Sequence, residues 1–129
     1  MPSAVEVAVE TYIRAVGERD SVLRARLLEA CFSADCRMVT QSRVVRGPAE
    51  IHREIERFLT DPQLVRARVV SAIDARGSIF RYRTIVERAD GPSLEFFDAG
   101  EIDAEGRISL LLAFAGPLGE AEQPRELLR

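Results

Sequence analysis

Residues 79–115 read IFRYRTIVERADGPSLEFFDAGEIDAEGRISLLLAFA, and this stretch decides the fold. Apolar residues recur at every second position in each of its three long segments, which is typical of β-strands with one buried face. Asp90-Gly91 and Glu105-Gly106 separate the segments, and both dipeptides favour hairpin turns. The stretch therefore predicts three antiparallel strands joined by two hairpins.

Two helices are predicted at the N-terminal end of the sequence. Residues 3–18 carry apolar side chains at helical spacing and begin with the Ser3-x-x-Glu6 pattern of a capping box. A second helix is predicted over residues 20–32, with Asp20 as its N-cap. Each helix has an apolar stripe, so each is expected to pack one face against a core.

A third helix and two further β segments complete the pattern. The helix opens at Gly47-Pro48 and ends near Thr60. Residues 36–41 are compatible with a short strand, followed by a polar loop, and residues 65–74 alternate with a period of two. Three helices followed by long, hairpin-linked strands predict an α+β domain. Its helices are expected to pack on one side of a curved antiparallel sheet.

The composition fits one globular domain. The chain has 129 residues, of which 47% are hydrophobic and 30% charged, and its net charge is −3. Arginine supplies all of the basic residues and is spread along the chain, so no basic stripe indicates a nucleic-acid partner. We expect residues 1–116 to form the domain and residues 117–129, which are polar, to form a tail.

Location and redox state are predicted from what the sequence lacks. No apolar run approaches the roughly 20 residues of a membrane span, and the N-terminus has no basic region of a secretion signal. We therefore expect a cytoplasmic protein without a membrane partner. Cys31 and Cys36 lack CxxC spacing and are interpreted as two buried free thiols. His52 is the only histidine, so no histidine pair can build a metal site, and no metal or cofactor is expected.

Asp98 is the most informative polar residue. Alternation places its carboxyl on the face of Leu94, Phe96 and Ile102, where an uncompensated charge is costly. Such a carboxyl either finds a partner or keeps its proton, because desolvation raises its pKa. Two interpretations stay open: a group that acts on a ligand, and a structural aspartate bonded to a backbone amide or, as the resemblance described below implies, to Tyr12.

The order of these elements resembles the nuclear transport factor 2-like superfamily and, within it, the SnoaL-like polyketide cyclase group. The resemblance covers about residues 3–115 and is specific for the fold. The superfamily contains isomerases, cyclases, dehydratases, hydrolases and non-catalytic binders, so the resemblance does not select one function. The matching features are the helix around Tyr12, the Arg46-Gly47-Pro48 start of the third helix, the strand segment Phe80-Arg81-Tyr82-Arg83, and the stretch from Phe97 to Ile108 that leads to Phe114.

The resemblance implies a cone-shaped, strongly curved antiparallel sheet with the three N-terminal helices over its concave face, which is the cystatin-like α+β roll. It also implies an apolar pocket inside the cone. The strand residues expected to line this pocket are Val69, Phe80, Tyr82, Phe96, Asp98, Leu110, Leu112 and Phe114. Tyr12, Phe58 and Leu59 are expected to close it from the helices.

The same resemblance suggests roles for several polar residues. Asp98 and Tyr12 match an aspartic acid and a tyrosine with which ketosteroid isomerases stabilise an oxyanion. In many SnoaL-like proteins the matching carboxylate is instead ionised and acts as a general base. The isomerase branch carries its own base on the first strand, where this sequence has Thr40 and Gln41, which do not titrate near neutral pH. These two residues either orient a ligand or form a strand end at the pocket mouth.

Two further residues also have alternative roles. His52 lies about 100° around the third helix from the apolar Ile51, which favours a helix-surface or rim position over a catalytic base. Tyr82 faces the expected pocket, where it either hydrogen-bonds a ligand or packs in the core with a satisfied hydroxyl.

Arginines occupy the opposite, convex face of the sheet. In proteins of the resembled superfamily this face commonly forms a dimer interface, so we expect a homodimer through it. A solvated charged face is the alternative. The residues concerned are Arg66, Arg68, Arg81 and Arg83, with Glu95, Glu101 and Asp103 as acidic partners.

The function predicted from the residues and the resemblance is that of a small-molecule-binding SnoaL-like protein, an isomerase or cyclase acting on a hydrophobic, carbonyl-bearing ligand. Asp98 and Tyr12 are its expected catalytic residues. Thr40, His52 and Tyr82 are expected to orient the ligand. The alternative is a non-catalytic ligand-binding or dimerisation module in which Asp98 is structural. An epoxide-opening hydrolase is disfavoured because its paired acids and arginine cannot be located.

Overall fold

Local capping signals start the first two helices where the sequence predicts them. The computed structural model of the protein describes residues 1–128. Helix α1 (Ala4–Gly17) begins with a capping box, in which the Ser3 hydroxyl accepts the Glu6 N–H at 3.2 Å. Helix α2 (Ser21–Cys31) begins after Asp20, whose carboxylate accepts two backbone N–H groups of the first turn. Helix α3 (Gly47–Leu59) has a proline in its first turn, as predicted.

Seven strands form one curved, unclosed sheet. The polar loop expected after the first strand contains the short strand β2, and the single strand expected over residues 65–74 is divided into β3 and β4 by a bend. The first strand also begins earlier than predicted, directly after α2. The strands are β1 (Phe32–Val39), β2 (Val44–Arg46), β3 (Leu64–Val69), β4 (Asp74–Arg76), β5 (Ile79–Arg88), β6 (Leu94–Ile102) and β7 (Ile108–Ala115).

The sheet is mixed, which corrects the purely antiparallel sheet expected from the hairpins. Its strand order is β2-β1-β7-β6-β5-β3, and β4 pairs with β5. All pairs are antiparallel except β1 with β7, which run parallel. Hairpin signals report only on strands that are neighbours in sequence. The contact between β1 and β7, which lie at opposite ends of the sheet-forming region, has no such local signal.

The three helices cover the concave face of the sheet, and the core lies between them. Helix α3 packs on β1 and β2, and α1 packs on α2 and reaches β6. Gly100 is required at the inner surface of β6, because a Cβ there would meet the Leu110 carbonyl oxygen and the Phe80 ring. The largest fully buried side chains are Phe32, Leu28, Ile51, Ile108, Leu111, Val5, Val9 and Cys36.

A β-bulge in β7 reverses the faces that simple alternation assigns to that strand. Ile102 pairs with Ile108 and Glu101 pairs with Leu110, so β7 carries one extra residue at this point. One extra residue moves every following side chain to the other face. Leu111 is therefore buried on the concave side with 1% exposure.

Three predicted pocket residues are consequently misplaced. Leu112 pairs with Ala99 and Phe114 pairs with Phe97, and both pairs lie on the convex face. Leu110 lies on that face with Glu101. The prediction that Leu110, Leu112 and Phe114 line the concave interior was wrong, because the sequence gives no sign of the bulge.

The last described residues form no helix or strand. All helices and strands lie between Ala4 and Ala115, within the predicted domain of residues 1–116. From residue 117 to residue 128 the chain is exposed, including its leucines at positions 118, 127 and 128. Arg129, the end of the predicted tail, lies outside the described residues. No helix in residues 1–128 combines the length and apolar character needed to cross a bilayer.

Candidate functional site

Three hydroxyl and carboxyl groups meet on the concave face. Tyr82 lies directly opposite Asp98 in the β5–β6 pair, so both side chains project to the same side of the sheet. Tyr12 reaches them from α1, and its phenol is close enough to Asp98 for the carboxylate charge to raise its pKa. We call Tyr12, Tyr82 and Asp98 the tyrosine–aspartate cluster. The structure thus brings together the two predicted catalytic residues and one predicted ligand-orienting residue.

The Asp98 carboxyl titrates closer to neutral pH than an ordinary aspartate. Burial raises its pKa to about 6, and a hydrogen bond from Tyr82 opposes this rise. A group with such a pKa releases and accepts a proton readily near pH 7, which is the property required of a general acid or base. The local environment of Asp98 therefore suits proton transfer.

The two tyrosines of the cluster keep their protons. Burial, followed by the nearby Asp98 charge, raises the pKa of Tyr12, and burial also raises that of Tyr82. The Tyr12 ring packs edge-on against Phe32 with ring centres 5.4 Å apart, and Tyr82 stacks on Phe80 with ring centres 6.3 Å apart. Both phenols are thus held in place as hydrogen-bond donors.

Two cysteines lie behind the cluster as unreactive thiols. Cys31 and Cys36 are free and buried, as predicted. Burial raises the pKa of Cys31 to about 12, and its thiol donates to the Leu28 carbonyl at 3.8 Å. A thiol that stays protonated is a poor nucleophile and a poor metal ligand. We therefore assign the cysteines to packing.

The side chains of the cluster and its neighbours differ in their exposure to solvent. Phe80, Tyr82 and Leu111 are buried and fill the inner part of the concave face, whereas Asp98 and Tyr12 remain partly exposed. Two open depressions, of about 650 and 700 Å³, lie elsewhere, and neither is lined by the cluster.

Two partly exposed apolar side chains lie near the cluster on the concave face, whereas a third belongs to α3. Phe58, at the end of α3, and Phe96, on β6, are both half-buried. Phe96 lies on the same face of the sheet as Thr84, its partner in β5. Val69 is paired with Thr84 from the other side and is 38% exposed. Phe96 and Val69 thus form an apolar rim in the row of residues next to the Tyr82–Asp98 pair.

Thr40 and Gln41 do not belong to the cluster. The Thr40 hydroxyl accepts the N–H groups of Ser42 and Arg43 at 3.3 and 3.2 Å and donates to the Arg43 carbonyl at 3.3 Å. These bonds close the turn between β1 and β2, so its hydroxyl is engaged in local structure. Gln41 is exposed in the same turn. Of the two open roles, the structure favours a strand end.

His52 belongs to a polar network between the helices. Its Nε2 lies 3.1 Å from a Glu56 carboxylate oxygen and 3.4 Å from the Arg24 guanidinium. Arg24 is only 6% exposed and donates twice to the Glu18 carbonyl, at 2.9 and 2.7 Å. This network joins the end of α1 to α2 and α3, and it places His52 on the helix surface rather than in the cluster.

The buried Arg24 was not predicted, although its position in the sequence carries a signal. Arg24, Leu28 and Cys31 recur at helical spacing and are the buried residues of α2. Leu23, the neighbouring apolar residue, lies outside this buried set and is 43% exposed. A long arginine stem can occupy an apolar face while its guanidinium binds carbonyl groups at a helix end.

The charged groups of the convex face pair within one chain. Arg83 lies 3.3 Å from Glu95, and Arg81 lies 2.9 Å from Asp74. These pairs alternate with exposed aromatic residues, since Phe97 is 37% and Phe114 is 56% exposed. Within residues 1–128, no three His, Cys, Asp or Glu side chains are arranged to hold a metal ion.

The fold can now be compared with known structures. No protein-family model matches the sequence, and no curated protein matches it. A SnoaL-like protein from Agrobacterium tumefaciens, named as a candidate isomerase, superposes with a TM-score of 0.75 at 22% identity over 88% of this chain and 98% of that one. An NTF2-like protein of unknown function from Exiguobacterium gives a TM-score of 0.65 at 16% identity, over 86% and 99% of the two chains.

The chain has the nuclear transport factor 2-like fold. An epoxide hydrolase of M. tuberculosis described as LEH-like shares this fold, with a TM-score of 0.62 at 16% identity over 88% of this chain and 82% of that one. Proteins with a nuclear transport factor 2-like fold thus include neighbours named for different chemistries. Function has to be argued from the side chains of this chain.

Proposed function

We propose that this protein binds a small, hydrophobic, carbonyl-bearing molecule at the tyrosine–aspartate cluster and isomerises or cyclises it. The observation that carries this proposal is the partly buried carboxyl of Asp98, whose pKa is about 6 and which lies beside two protonated tyrosines. A base and a hydrogen-bond donor in one place are what proton abstraction next to a carbonyl requires.

The proposed step uses only groups of the cluster. The Asp98 carboxylate takes a proton from the carbon next to the carbonyl, and the C–H electron pair forms the double bond of an enolate. The Tyr12 hydroxyl donates a hydrogen bond to the enolate oxygen, where negative charge develops. If the enolate is conjugated with a carbon–carbon double bond, return of the proton to the far carbon of that double bond shifts the bond and completes an isomerisation. Attack of the enolate carbon on a second carbonyl of the same molecule, with the proton passing to the new alkoxide, completes a cyclisation.

The apolar rim and the composition of the cluster support this choice. Phe96 and Val69 offer apolar contacts beside Asp98 on the concave face. Burial raises the pKa of Asp98 and the hydrogen bond from Tyr82 opposes this rise, and in residues 1–128 neither an arginine nor a second carboxylate is among the causes. A site that opens an epoxide with paired acids and an arginine is therefore less well supported than one that abstracts a proton. The fold neighbour named as a candidate isomerase agrees with the choice.

Hydrogen–deuterium exchange tests the proposal without knowledge of the natural substrate. A panel of cyclic enones and diketones in D₂O near pD 7 should exchange hydrogens next to the carbonyl faster with protein than without, as measured by proton NMR. Asp98→Asn keeps the shape but removes the base, and it should lower this exchange by about 10² or more. Glu10→Gln removes an exposed carboxyl on α1 and is the matched control. Equal exchange by Asp98→Asn and wild type would refute Asp98 as the base.

A dimerisation module is the second candidate function, and two observations favour it. The inner part of the concave face is filled by packed side chains, and the convex face exposes Phe97, Phe114 and Ile79, the last at 53%. A second copy of the chain could cover this apolar surface, since exposed aromatic residues are enriched in interfaces. A convex-face homodimer is compatible with either function. A dimer in sedimentation velocity, combined with no exchange of any ketone, would favour the module over the enzyme.

A further inference from the structure

Tyr82 is the cross-strand neighbour of Asp98. The two residues lie directly opposite each other in the β5–β6 pair, so their side chains share one face and are within reach of each other. The Tyr82 hydroxyl donates a hydrogen bond to the Asp98 carboxylate, which lowers the pKa of that carboxyl against the effect of burial. The phenol therefore stabilises the ionised, basic form of Asp98.

Burial separates Tyr82 from the other members of the tyrosine–aspartate cluster. Tyr82 is only 4% exposed, whereas Tyr12 and Asp98 are partly exposed. A ligand at the cluster can therefore contact Asp98 and Tyr12, but it meets almost none of the Tyr82 surface. The Tyr82 hydroxyl is better placed to serve the neighbouring carboxyl than to bind a ligand directly.

Packing fixes the position of the Tyr82 ring. Phe80 lies directly opposite Gly100, and its ring occupies the space that a Cβ at Gly100 would need, with ring atoms 2.6 and 3.0 Å from that position. Tyr82, two residues further along β5, stacks on this ring with an interplanar angle of 13°. Because closely packed side chains move little, the stack holds the Tyr82 hydroxyl at one place beside Asp98.

The other elements around Asp98 leave this role to Tyr82. Tyr12, on α1, is affected by the Asp98 charge through space. Ala113, opposite Asp98 in β7, has no polar side chain, and the other acids of β6 lie on the convex face. The hydrogen bond that lowers the pKa of Asp98 comes from Tyr82.

We propose that Tyr82 is a positioning residue, whose hydroxyl holds one carboxylate oxygen of Asp98 and leaves the other oxygen to take the substrate proton. This inference rests on the proposed role of Asp98 as the base. An ionised carboxylate accepts hydrogen bonds at both oxygens, so the engagement of one leaves the other available. The two tyrosines then divide the work, because Tyr82 orients the base and Tyr12 binds the substrate oxygen.

Tyr82→Phe tests the contact without any substrate. The variant keeps the stacked ring and removes the hydroxyl. The midpoint of the Asp98 titration, followed by carbon-13 NMR of the side-chain carboxyl, should rise by about one pH unit, because the ionised form loses a hydrogen bond. Thr84→Val removes a hydroxyl from the same face of β5 and is the matched control, in which the midpoint should not move. An unchanged midpoint in Tyr82→Phe would overturn the proposal.

A measurement on the wild type keeps the proposal testable if Tyr82→Phe does not fold. The chain has two tyrosines, so carbon-13 at the ring Cζ gives two signals, which Tyr12→Phe assigns. The Tyr82 signal should move with a midpoint near pH 6, because the hydrogen bond strengthens when Asp98 ionises. Asp98→Asn should abolish this movement. A Tyr82 signal that stays constant through the Asp98 titration would also overturn the proposal.

The ketone exchange assay separates positioning from ligand contact. The loss of exchange in Tyr82→Phe should be about fivefold larger at pH 6 than at pH 8, because a base with a higher pKa is less ionised at pH 6. The KM for the ketone should stay the same. A raised KM with an unchanged pH profile would assign Tyr82 to ligand contact and overturn the proposal. Expected titrations in a wild type that exchanges no ketone would refute the proposed function and leave the contact of Tyr82 with Asp98 standing.

Discussion

Both faces of the sheet carry aromatic residues, but the two faces differ in what covers them. On the concave face, helices bury Phe80, Tyr82 and Leu111 and hold Asp98 partly out of water. On the convex face, within residues 1–128, Phe97 and Phe114 have no such cover and remain exposed. The carboxyl with a raised pKa occurs on the covered face, and the exposed aromatic residues occur on the other.

For the neighbours Phe97 and Asp98, the side chain's exposure depends on whether helices cover its face of the sheet rather than on its residue type. Phe97 and Asp98 are neighbours in β6 and point to opposite faces. Phe97 is exposed to solvent, whereas Asp98 is only partly exposed. From residue type alone, phenylalanine would be expected to be buried and aspartate to be exposed.

The largest expected effect separates adjacent leucines of β7. Leu111→Ala should lower the free energy of unfolding by about 3 kcal/mol, because it opens a cavity in the core. Leu112→Ala, on the partly exposed convex face, should cost about 1 kcal/mol or less. Urea denaturation at low protein concentration measures both. Equal losses, or a larger loss for Leu112→Ala, would show that burial under the helices does not make the concave face more important for stability.

Gly100 tests how tightly the covered face is packed. Gly100→Ala places a methyl group against the Leu110 carbonyl, which is backbone and cannot move aside easily. We expect a loss of about 1–3 kcal/mol in the free energy of unfolding. Gly91→Ala is the control, since nothing lies within 4 Å of its added Cβ. Thermal or urea denaturation of the pair should show a clear difference, and its absence would mean that the sheet relaxes at this point.

The pH dependence of stability tests the environment of Asp98. Its folded-state pKa is about 6, above the roughly 3.9 of an unfolded aspartate, so the native state binds more protons between these values. The free energy of unfolding contributed by this group should therefore fall as the pH rises from about 4 to 6 and then level off.

In Asp98→Asn, the free energy of unfolding should lack this decrease between about pH 4 and 6. The variant should match the wild type near pH 4 and exceed it by on the order of 1–2 kcal/mol above pH 6, a figure reduced for the partial exposure of the carboxyl. Urea denaturation across this pH range measures the difference. Parallel curves for the two proteins would mean that Asp98 is solvated like an ordinary surface acid.

The smallest effect on folding is expected on the convex face. Phe114→Lys should change the free energy of unfolding of the monomer by about 0.5 kcal/mol or less. It should nevertheless abolish the proposed homodimer, because a charge would be buried at an apolar contact. Sedimentation velocity measures the association, with Val22→Lys as the control, since Val22 is an exposed valine on α2. A dimer that survives Phe114→Lys forms through another surface.

Much of the fold could be predicted because its signals are local. The capping box at Ser3, the N-cap Asp20 and the Gly-containing hairpin turns each depend on a few adjacent residues. The pairing of β1 with β7 and the bulge opposite Glu101 depend on contacts between distant segments. No periodicity reports such contacts, which is why Leu110, Leu112 and Phe114 were assigned to the wrong face.

The candidate site likewise has some features that local sequence predicts and others that depend on distant segments. Asp98 and Tyr82 were placed on one face because both are counted from the hairpin that joins β5 to β6. Tyr12 lies on a helix far from both in sequence, and only the resemblance to a known fold connected it with them. The engagement of the Thr40 hydroxyl in its own turn and the near-complete burial of Tyr82 depend on three-dimensional packing. Neither can be read from residue spacing.

The central position of β7 has a consequence for the order in which the protein is made. Because β7 lies between β1 and β6, the two parts of the sheet are joined only through a strand that the ribosome synthesises after all the others. A nascent chain that ends before residue 108 has two unpaired inner edges, on β1 and on β6, and such edges invite pairing with other chains. Productive folding is therefore expected to wait until residues 108–115 have left the exit tunnel, which makes the nascent chain a natural client for a chaperone.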